Sequence, residues 1–163
     1  MKKIATVLSI VFLLTISSGK ISAQNYSAGG GLVFASDIST LGISLNGKYE
    51  INEKFDIAPS FIYFLEKDYV SWMVLNVDAH YSFNSIDGID FYGIGGLGIT
   101  FVTVDFGTVF GNDYSYSESN FGINIGAGAS KNLATNLDGF AEAKYTLSSG
   151  GYLQLNAGVL YKF

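Results

Sequence analysis

His80 is the single histidine of this 163-residue sequence and the residue best suited to acid–base chemistry. Asp78 lies two positions before it, and residues two apart in a β-strand point to the same face. A carboxylate beside an imidazole can orient the ring and stabilise its protonated form. The spacing therefore allows a His80–Asp78 pair, and the alternative is a hydrogen-bonded histidine without a catalytic role.

A glycine-rich segment, residues 93–98, offers a second candidate for chemistry because Gly93, Gly95 and Gly98 fit the GxGxxG pattern of dinucleotide-binding proteins. That pattern binds pyrophosphate only where it leads into the first turn of a helix. Residues 99–104 read Ile-Thr-Phe-Val-Thr-Val, which is typical of a strand. We therefore interpret the glycines as part of a curved sheet and expect no cofactor.

The elements that carry these residues follow from the composition. The chain is 48% apolar and 15% aromatic, but only 14% charged. A soluble surface usually carries about 25–35% charged residues, so a surface other than one facing water is indicated. The content of Gly, Tyr and Phe argues against a helical bundle, and the apolar content excludes disorder.

The first 23 residues read as a secretory signal peptide. Two lysines precede an apolar run of about 13 residues, too short for a transmembrane helix of about 20, and a small residue, Ala23, precedes the expected cleavage site. Cleavage would leave six lysines, no arginine and 14 acidic residues, for a net charge of −8. Such a chain is not expected to bind nucleic acid. The absence of Cys excludes stabilisation by disulfides.

Residues 24–163 are predicted to form one domain of eight β-strands. Each strand is recognised by apolar residues that alternate with small or polar ones, although the facing of 91–103 is not assigned. The predicted strands are Tyr26–Ala35, Leu41–Ile51, Phe55–Glu66, Tyr69–Phe83, Phe91–Thr103, Asn120–Lys131, Leu137–Leu147 and Tyr152–Phe163.

Two barrel classes fit this alternation, and they differ in which face is outside. A soluble lipocalin-like barrel keeps bulky apolar residues inside, whereas an outer-membrane barrel presents them to lipid. An eight-stranded interior is narrow, so the face rich in Gly, Ser, Asn and charged residues fits inside. Aromatic residues near the predicted strand ends suit interfacial girdles: Tyr26, Phe34, Tyr49, Phe55, Tyr81, Phe83, Tyr145, Tyr161 and Phe163. The sequence predicts an all-β, eight-stranded antiparallel up-and-down transmembrane barrel.

Four segments also resemble the small bacterial outer-membrane β-barrel family that includes OmpX-like proteins and OmpA-type transmembrane domains. They are Leu75–Phe83, Phe91–Gly98, Phe121–Gly128 and Val159–Phe163. The resemblance implies residence in the outer membrane, contact with its lipid, and recognition of Phe163 by the barrel assembly machinery. It also implies a monomer with a structural or surface-interaction role, such as adhesion or envelope integrity. Because no residues follow Phe163, we expect no peptidoglycan-binding domain of the kind found in full-length OmpA-type proteins.

Charged residues on the polar faces then project into the predicted lumen: Lys48, Glu50, Asp56, Asp78, His80, Glu142, Lys144 and Lys162. They would form either an ion path or a paired network, and we favour the network because an unpaired buried charge is costly. No metal site is expected, since the carboxylates form no tight run. Some barrels of this family modify lipid A with a histidine, but His80 would lie at the periplasmic end, away from that substrate. We therefore predict no catalytic residues.

The longest connection, residues 104–119, is predicted to be extracellular. It contains Asp105, Phe106, Phe110, Asp113, Tyr114, Tyr116 and Glu118. It would form either an adhesive loop that contacts an extracellular ligand or an extension of the two flanking strands. A narrow pore, a lipid A-modifying enzyme and a soluble lipocalin-like binder remain as alternatives to the structural role.

Overall fold

The computed structural model describes residues 26–67, 69–109 and 112–163, with no account of the side chains at 105–115. The predicted signal peptide lies outside the described residues. No helix in these three ranges has the length and apolar character needed to cross a membrane.

Eight antiparallel strands form a closed barrel in which each strand pairs with its sequence neighbours and β1 pairs with β8. The strands are β1 Tyr26–Ala35, β2 Thr40–Asn52, β3 Phe55–Lys67, β4 Val70–Ile86, β5 Ile89–Val109, β6 Asn112–Ala134, β7 Leu137–Leu147 and β8 Tyr152–Lys162. The predicted fold class is therefore confirmed. Closure gives every strand two partners along the barrel wall, so that backbone polar groups are paired there.

The two ends of the barrel differ in their connections. At one end, which we call the terminal end, β1 begins and β8 ends, and two-residue turns at 53–54, 87–88 and 135–136 join the strands. The turn at Asp87 and Gly88 has positive φ at both residues, as a tight hairpin requires. The opposite end, the loop end, has connections at 36–39 and 148–151 and the tip of the long β5–β6 hairpin.

The outer wall is apolar, as the alternation predicts. Leu45 is 66% exposed and Ile125 is 59% exposed, whereas Ser44 and Asn124, one position before each of them, are buried. Three aromatic pairs lie in the outward-facing rows near the terminal end: Tyr26 with Tyr49, Phe55 with Tyr81, and Tyr161 with Phe163. A continuous apolar surface of this extent needs a nonaqueous environment.

Strand β5, whose facing the sequence left open, is now assigned. Tyr92, Ile94 and Thr100 point into the barrel and are buried, while Leu97 and Ile99 point outward. Gly96 and Gly98 also face inward, opposite Asp78 and Asn76 of β4. A Cβ at Gly98 would approach the Asn76 side-chain oxygen to 2.6 Å, so glycine leaves the room that these lumen side chains need.

The connection predicted at 104–119 is corrected by the structure to strand. Strand β5 continues to Val109 and β6 begins at Asn112, with Val104 opposite Tyr116 and Thr108 opposite Asp113. The sequence allowed either an adhesive loop or an extension of the two flanking strands, and the structure shows the extension. The segment lacks the apolar alternation by which the strands were predicted, but a two-stranded ribbon outside the barrel wall has no buried face and so needs no such alternation.

Candidate functional site

The lumen is filled by three successive layers, beginning with an apolar cluster at the loop end. Its members share inward-facing positions and near-complete burial: Val33, Ala35, Ile62, Phe64, Trp72, Val74 and Tyr152. The ring of Trp72 contacts Phe64 and Tyr152 edge to face, with centroid distances of 6.4 and 5.2 Å. These residues correct the expectation of a polar interior throughout, because the side chains that close the loop end are aliphatic and aromatic.

A layer of neutral polar side chains lies beneath the apolar cluster. Asn124 is its centre: the amide nitrogen donates to Asn76 at 2.9 Å and to Asp78 at 2.8 Å, and Thr146 donates to its oxygen at 2.8 Å. Gln154 donates to the Tyr152 hydroxyl at 3.1 Å, which joins this layer to the apolar cluster. Because Asn124 is hydrogen-bonded through both its nitrogen and its oxygen, its side chain is fixed in one arrangement, whereas the buried side-chain oxygen of Gln154 has no partner in the described residues.

Asp78 and Lys144 form the most deeply buried ion pair in the described residues. The Lys144 ammonium donates to Asp78 Oδ2 at 2.6 Å, and the side chains are 6% and 5% exposed. Asp78 also accepts from Asn124, so both carboxylate oxygens are engaged. Asp78 is thus the partner of Lys144, not of His80, and the His80–Asp78 pair suggested by the spacing does not form.

His80 instead faces Tyr92 and Glu142. Its ring stacks on the Tyr92 ring at a centroid distance of 4.6 Å and an angle of 20°. Its Nε2 lies 3.9 Å from Glu142 Oε1, beyond hydrogen-bonding distance, and the Tyr92 hydroxyl donates to that same oxygen at 2.9 Å. Tyr92 therefore holds both neighbours. It was not among the predicted lumen residues, because the glycine-rich sequence of β5 left the facing of that strand unassigned.

The remaining predicted lumen charges lie nearer the terminal end. Lys48 is 2.9 Å from Glu50 and 3.9 Å from Asp56, and Lys162 is 2.7 Å from Asp138. The Glu50 and Lys162 side chains are 38% and 35% exposed, so they mark the rim. All eight charged residues predicted for the lumen are thus on the inner face or its rim. Six of them take part in ion pairs, whereas His80 and Glu142 lie 3.9 Å apart without a hydrogen bond to each other.

A cavity of about 210 Å³, which we call the vestibule, lies within this charged layer. Its wall combines inward residues of β2, β3, β4, β5 and β7, including Lys48, Asp56, His80, Tyr92 and Glu142. Within the three described ranges, no group of three His, Cys, Asp or Glu side chains is placed to hold a metal ion. The arrangement provides hydrogen-bond acceptors and negative charge, and it contains no serine or other nucleophile paired with His80.

The β5–β6 hairpin forms a separate candidate surface outside the barrel. Strand β4 pairs with β5 up to Val104, and β7 pairs with β6 only from Ile123 onward. Residues 112–122 of β6 therefore pair with β5 alone. The β7–β8 connection contacts the second edge at Asn120 and Gly122, and no other described strand covers that edge at 112–119. At about 3.3 Å per residue this uncovered edge is about 26 Å long. Unpaired backbone groups along such an edge can pair with another extended chain.

Comparisons with known proteins agree with the architecture. No protein-family model matches the chain, and no curated protein matches it at a significant level. The chain is similar to a solved major outer-membrane protein of Thermus thermophilus, with a TM-score of 0.69, 12% identity, and coverage of 85% of this chain and 98% of that one. Neisserial surface protein A gives a TM-score of 0.63 at 19% identity, covering 85% and 97%.

The attachment invasion locus protein of Yersinia pestis, solved with the heparin analogue sucrose octasulfate, gives a TM-score of 0.58 at 22% identity. The match covers 85% of this chain and 96% of the Yersinia chain. These identities are low, but the whole barrel is matched in each case. The chain therefore has the fold of the small eight-stranded outer-membrane β-barrels that its sequence segments resemble.

Proposed function

We propose that this protein is a monomeric, non-enzymatic outer-membrane barrel that acts at the cell surface through its β5–β6 hairpin. Residues 1–23 are its signal peptide, residues 24–163 form the barrel, and Phe163 is the signal read by the assembly machinery. The uncovered edge at residues 112–119 of β6 carries the proposal, because it is a strand edge outside the wall that pairs with no other described strand. Adhesion to an extended segment of another protein is the activity that such an edge supports.

The orientation follows from the connections. Outer-membrane barrels have short periplasmic turns and longer extracellular segments. The three connections of the terminal end are two residues each, whereas the long hairpin is at the loop end. We therefore assign the terminal end to the periplasm and the hairpin to the exterior. The exposed Phe163, whose backbone nitrogen donates to the Tyr26 oxygen, then lies at the periplasmic rim.

The proposal of no enzymatic role rests on the surroundings of His80. It is 6% exposed, lies at the terminal end opposite Asp56 of β3, and stacks against a tyrosine. A lipid substrate in the outer leaflet would have no route to it through the apolar cluster. A narrow pore is likewise disfavoured, because Phe64 and Val74 are completely buried in the lumen and leave no path there.

The partner is expected to be a protein strand and not a polyanion. The sequence contains no arginine, and within the hairpin residues 104–119 it has three acidic residues and no lysine. The Yersinia protein that was solved with a heparin analogue is similar in fold, but sulfate recognition needs clustered basic side chains.

Shortening the hairpin tests this function. Val104 and Tyr116 are register partners, so replacing residues 105–115 with Asn-Gly gives a two-residue turn without altering the wall. We expect adhesion of expressing cells to fall about tenfold while the amount of barrel in the outer membrane is unchanged. Lys54→Ala, in a terminal-end turn, is the matched control and should adhere normally. Full adhesion by the shortened variant would refute the proposed role.

A further inference from the structure

The vestibule has an excess of negative charge that its own lysines do not balance. Seven carboxyl residues line it: Glu50, Glu53, Asp56, Asp78, Asp90, Asp138 and Glu142. Three lysines face them: Lys144 pairs with Asp78, Lys162 with Asp138, and Lys48 with Glu50 and, at longer range, Asp56. Partly buried carboxylates interact with cations more strongly than exposed ones, because screening by water is weaker.

A second observation, independent of the charge, is the state of His80. The residue is 94% removed from solvent and borders the vestibule, yet no hydrogen bond to either ring nitrogen is found in the described part of the chain. The closest carboxylate oxygen, Glu142 Oε1, is 3.9 Å from Nε2. Neither ring nitrogen is among the fully buried, unpartnered polar atoms of the described residues, so the ring stays within reach of water or a ligand in the vestibule.

The two groups are held in place by one residue. Tyr92 stacks on the His80 ring and donates its hydroxyl to Glu142, and a Cβ on Gly128 opposite it would come within 2.5 Å of the Tyr92 ring. The tyrosine thus has little freedom to move, and neither have the groups it contacts. Groups fixed before a ligand arrives lose little conformational entropy on binding.

We propose that the vestibule binds a protonated primary amine, with the ammonium group in the cavity and donating to both Glu142 and His80. An ammonium has three donors and no acceptor, which complements carboxylate oxygens and the free nitrogen of a neutral imidazole. The volume of about 210 Å³ accommodates a short alkyl chain behind the charged group, and Phe140 and Leu160 supply apolar wall for it.

A bare metal ion fits less well than an ammonium. A divalent transition metal takes three or more protein ligands in most sites, and no such group is present in the described ranges. The apolar cluster closes the loop end, so the amine enters from the terminal end. This site is independent of the β5–β6 hairpin, and the outcome of one test does not affect the other.

The probes are n-butylamine and, as its neutral analogue of similar size, n-butanol. The folded barrel in detergent micelles at about pH 8, where an ordinary imidazole is neutral, is titrated with each while the ring signals of its single histidine are followed by NMR. We expect saturable shifts with n-butylamine and none with n-butanol. No saturable response to the amine, or an equal response to the alcohol, would overturn the proposal.

Three variants locate the site. Glu142→Gln keeps the acceptor for Tyr92 but removes the charge, and it should weaken binding of the amine about tenfold or more. His80→Phe keeps the stacking and removes the acceptor, and binding followed by calorimetry should again weaken. Glu66→Gln removes the same charge at the exposed loop end and should bind as the unaltered barrel does. Equal binding by all variants, or binding of Zn²⁺ but not of the amine, would contradict the assignment.

Discussion

The two halves of the lumen differ in how they fill the same narrow space. Toward the loop end the inward positions hold Phe64, Trp72 and Tyr152 in edge-to-face contact. Toward the terminal end they hold charged side chains around a cavity. The apolar half is closed by packing, whereas the charged half retains a cavity, and ion pairs and hydrogen bonds fix the side chains that surround it. An eight-stranded barrel can thus be plugged and still contain a binding-sized space.

The largest effect is expected where the two halves meet, at Asp78. Asp78→Ala removes the partner of Lys144 and one acceptor of Asn124. A buried charge left without its partner costs about 3–5 kcal/mol, so the free energy of unfolding should fall by that amount in urea titrations of the barrel in lipid vesicles.

The rim pair Lys162 and Asp138 is the matched control for this prediction, because its lysine is 35% exposed. Asp138→Asn leaves the half-exposed lysine hydrated and keeps an acceptor for Asn132, so it should cost no more than about 1 kcal/mol. If both substitutions cost the same, the lumen around Asp78 is wet, and the distinction between the rim and the interior fails.

The apolar half is tested by Phe64→Ala. Phe64 is completely buried within the lumen, and the loss of a buried phenylalanine side chain with its cavity costs about 3–5 kcal/mol. Phe121→Ala serves as the comparison, since Phe121 is 60% exposed on the outer wall and lipid can fill the vacated space. We expect the outer substitution to reduce the free energy of unfolding by less than half as much, and equal losses would argue against a packed plug.

A smaller effect is expected from glycines on the two faces of the wall. Gly128→Ala places a Cβ about 2.5 Å from the Tyr92 ring, whereas at Gly93 an added Cβ would meet nothing within 4 Å. Overpacking costs about 1–3 kcal/mol, so Gly128→Ala should destabilise the barrel and shift the His80 ring signals. Gly93→Ala should leave both unchanged, and a shift of the His80 signals there would show that the facing of β5 is misassigned.

The sequence predicted the barrel and most of its strands because lipid-facing and lumen-facing residues alternate with a period of two. The same alternation could not locate the apolar cluster, because Val33, Ile62 and Val74 are as apolar as their lipid-facing neighbours. Trp72 gave a signal, since it falls on the polar face of its predicted strand. Contacts around the barrel, such as Lys144 with Asp78, depend on the register of nonadjacent strands, which periodicity does not report.

The outer part of the β5–β6 hairpin is a second region that the sequence did not predict as strand. Its residues pair as strands beyond the wall, where neither lipid nor a lumen imposes an apolar pattern, so that a ribbon and a loop have similar sequences. The edge of β6 became visible only when the end of pairing with β7 at Ile123 was known.

The division of the lumen is tested most directly by the access of a charged thiol reagent to single cysteines, since the chain has none of its own. Ser82→Cys places a thiol in the vestibule wall, and Val74→Cys places one in the completely buried apolar cluster. With the folded barrel in micelles, a cationic methanethiosulfonate should modify Cys at 82 within minutes and leave Cys at 74 unmodified until the protein is unfolded. Equal modification of both in the folded barrel would contradict a lumen that is closed at the loop end and open at the terminal end.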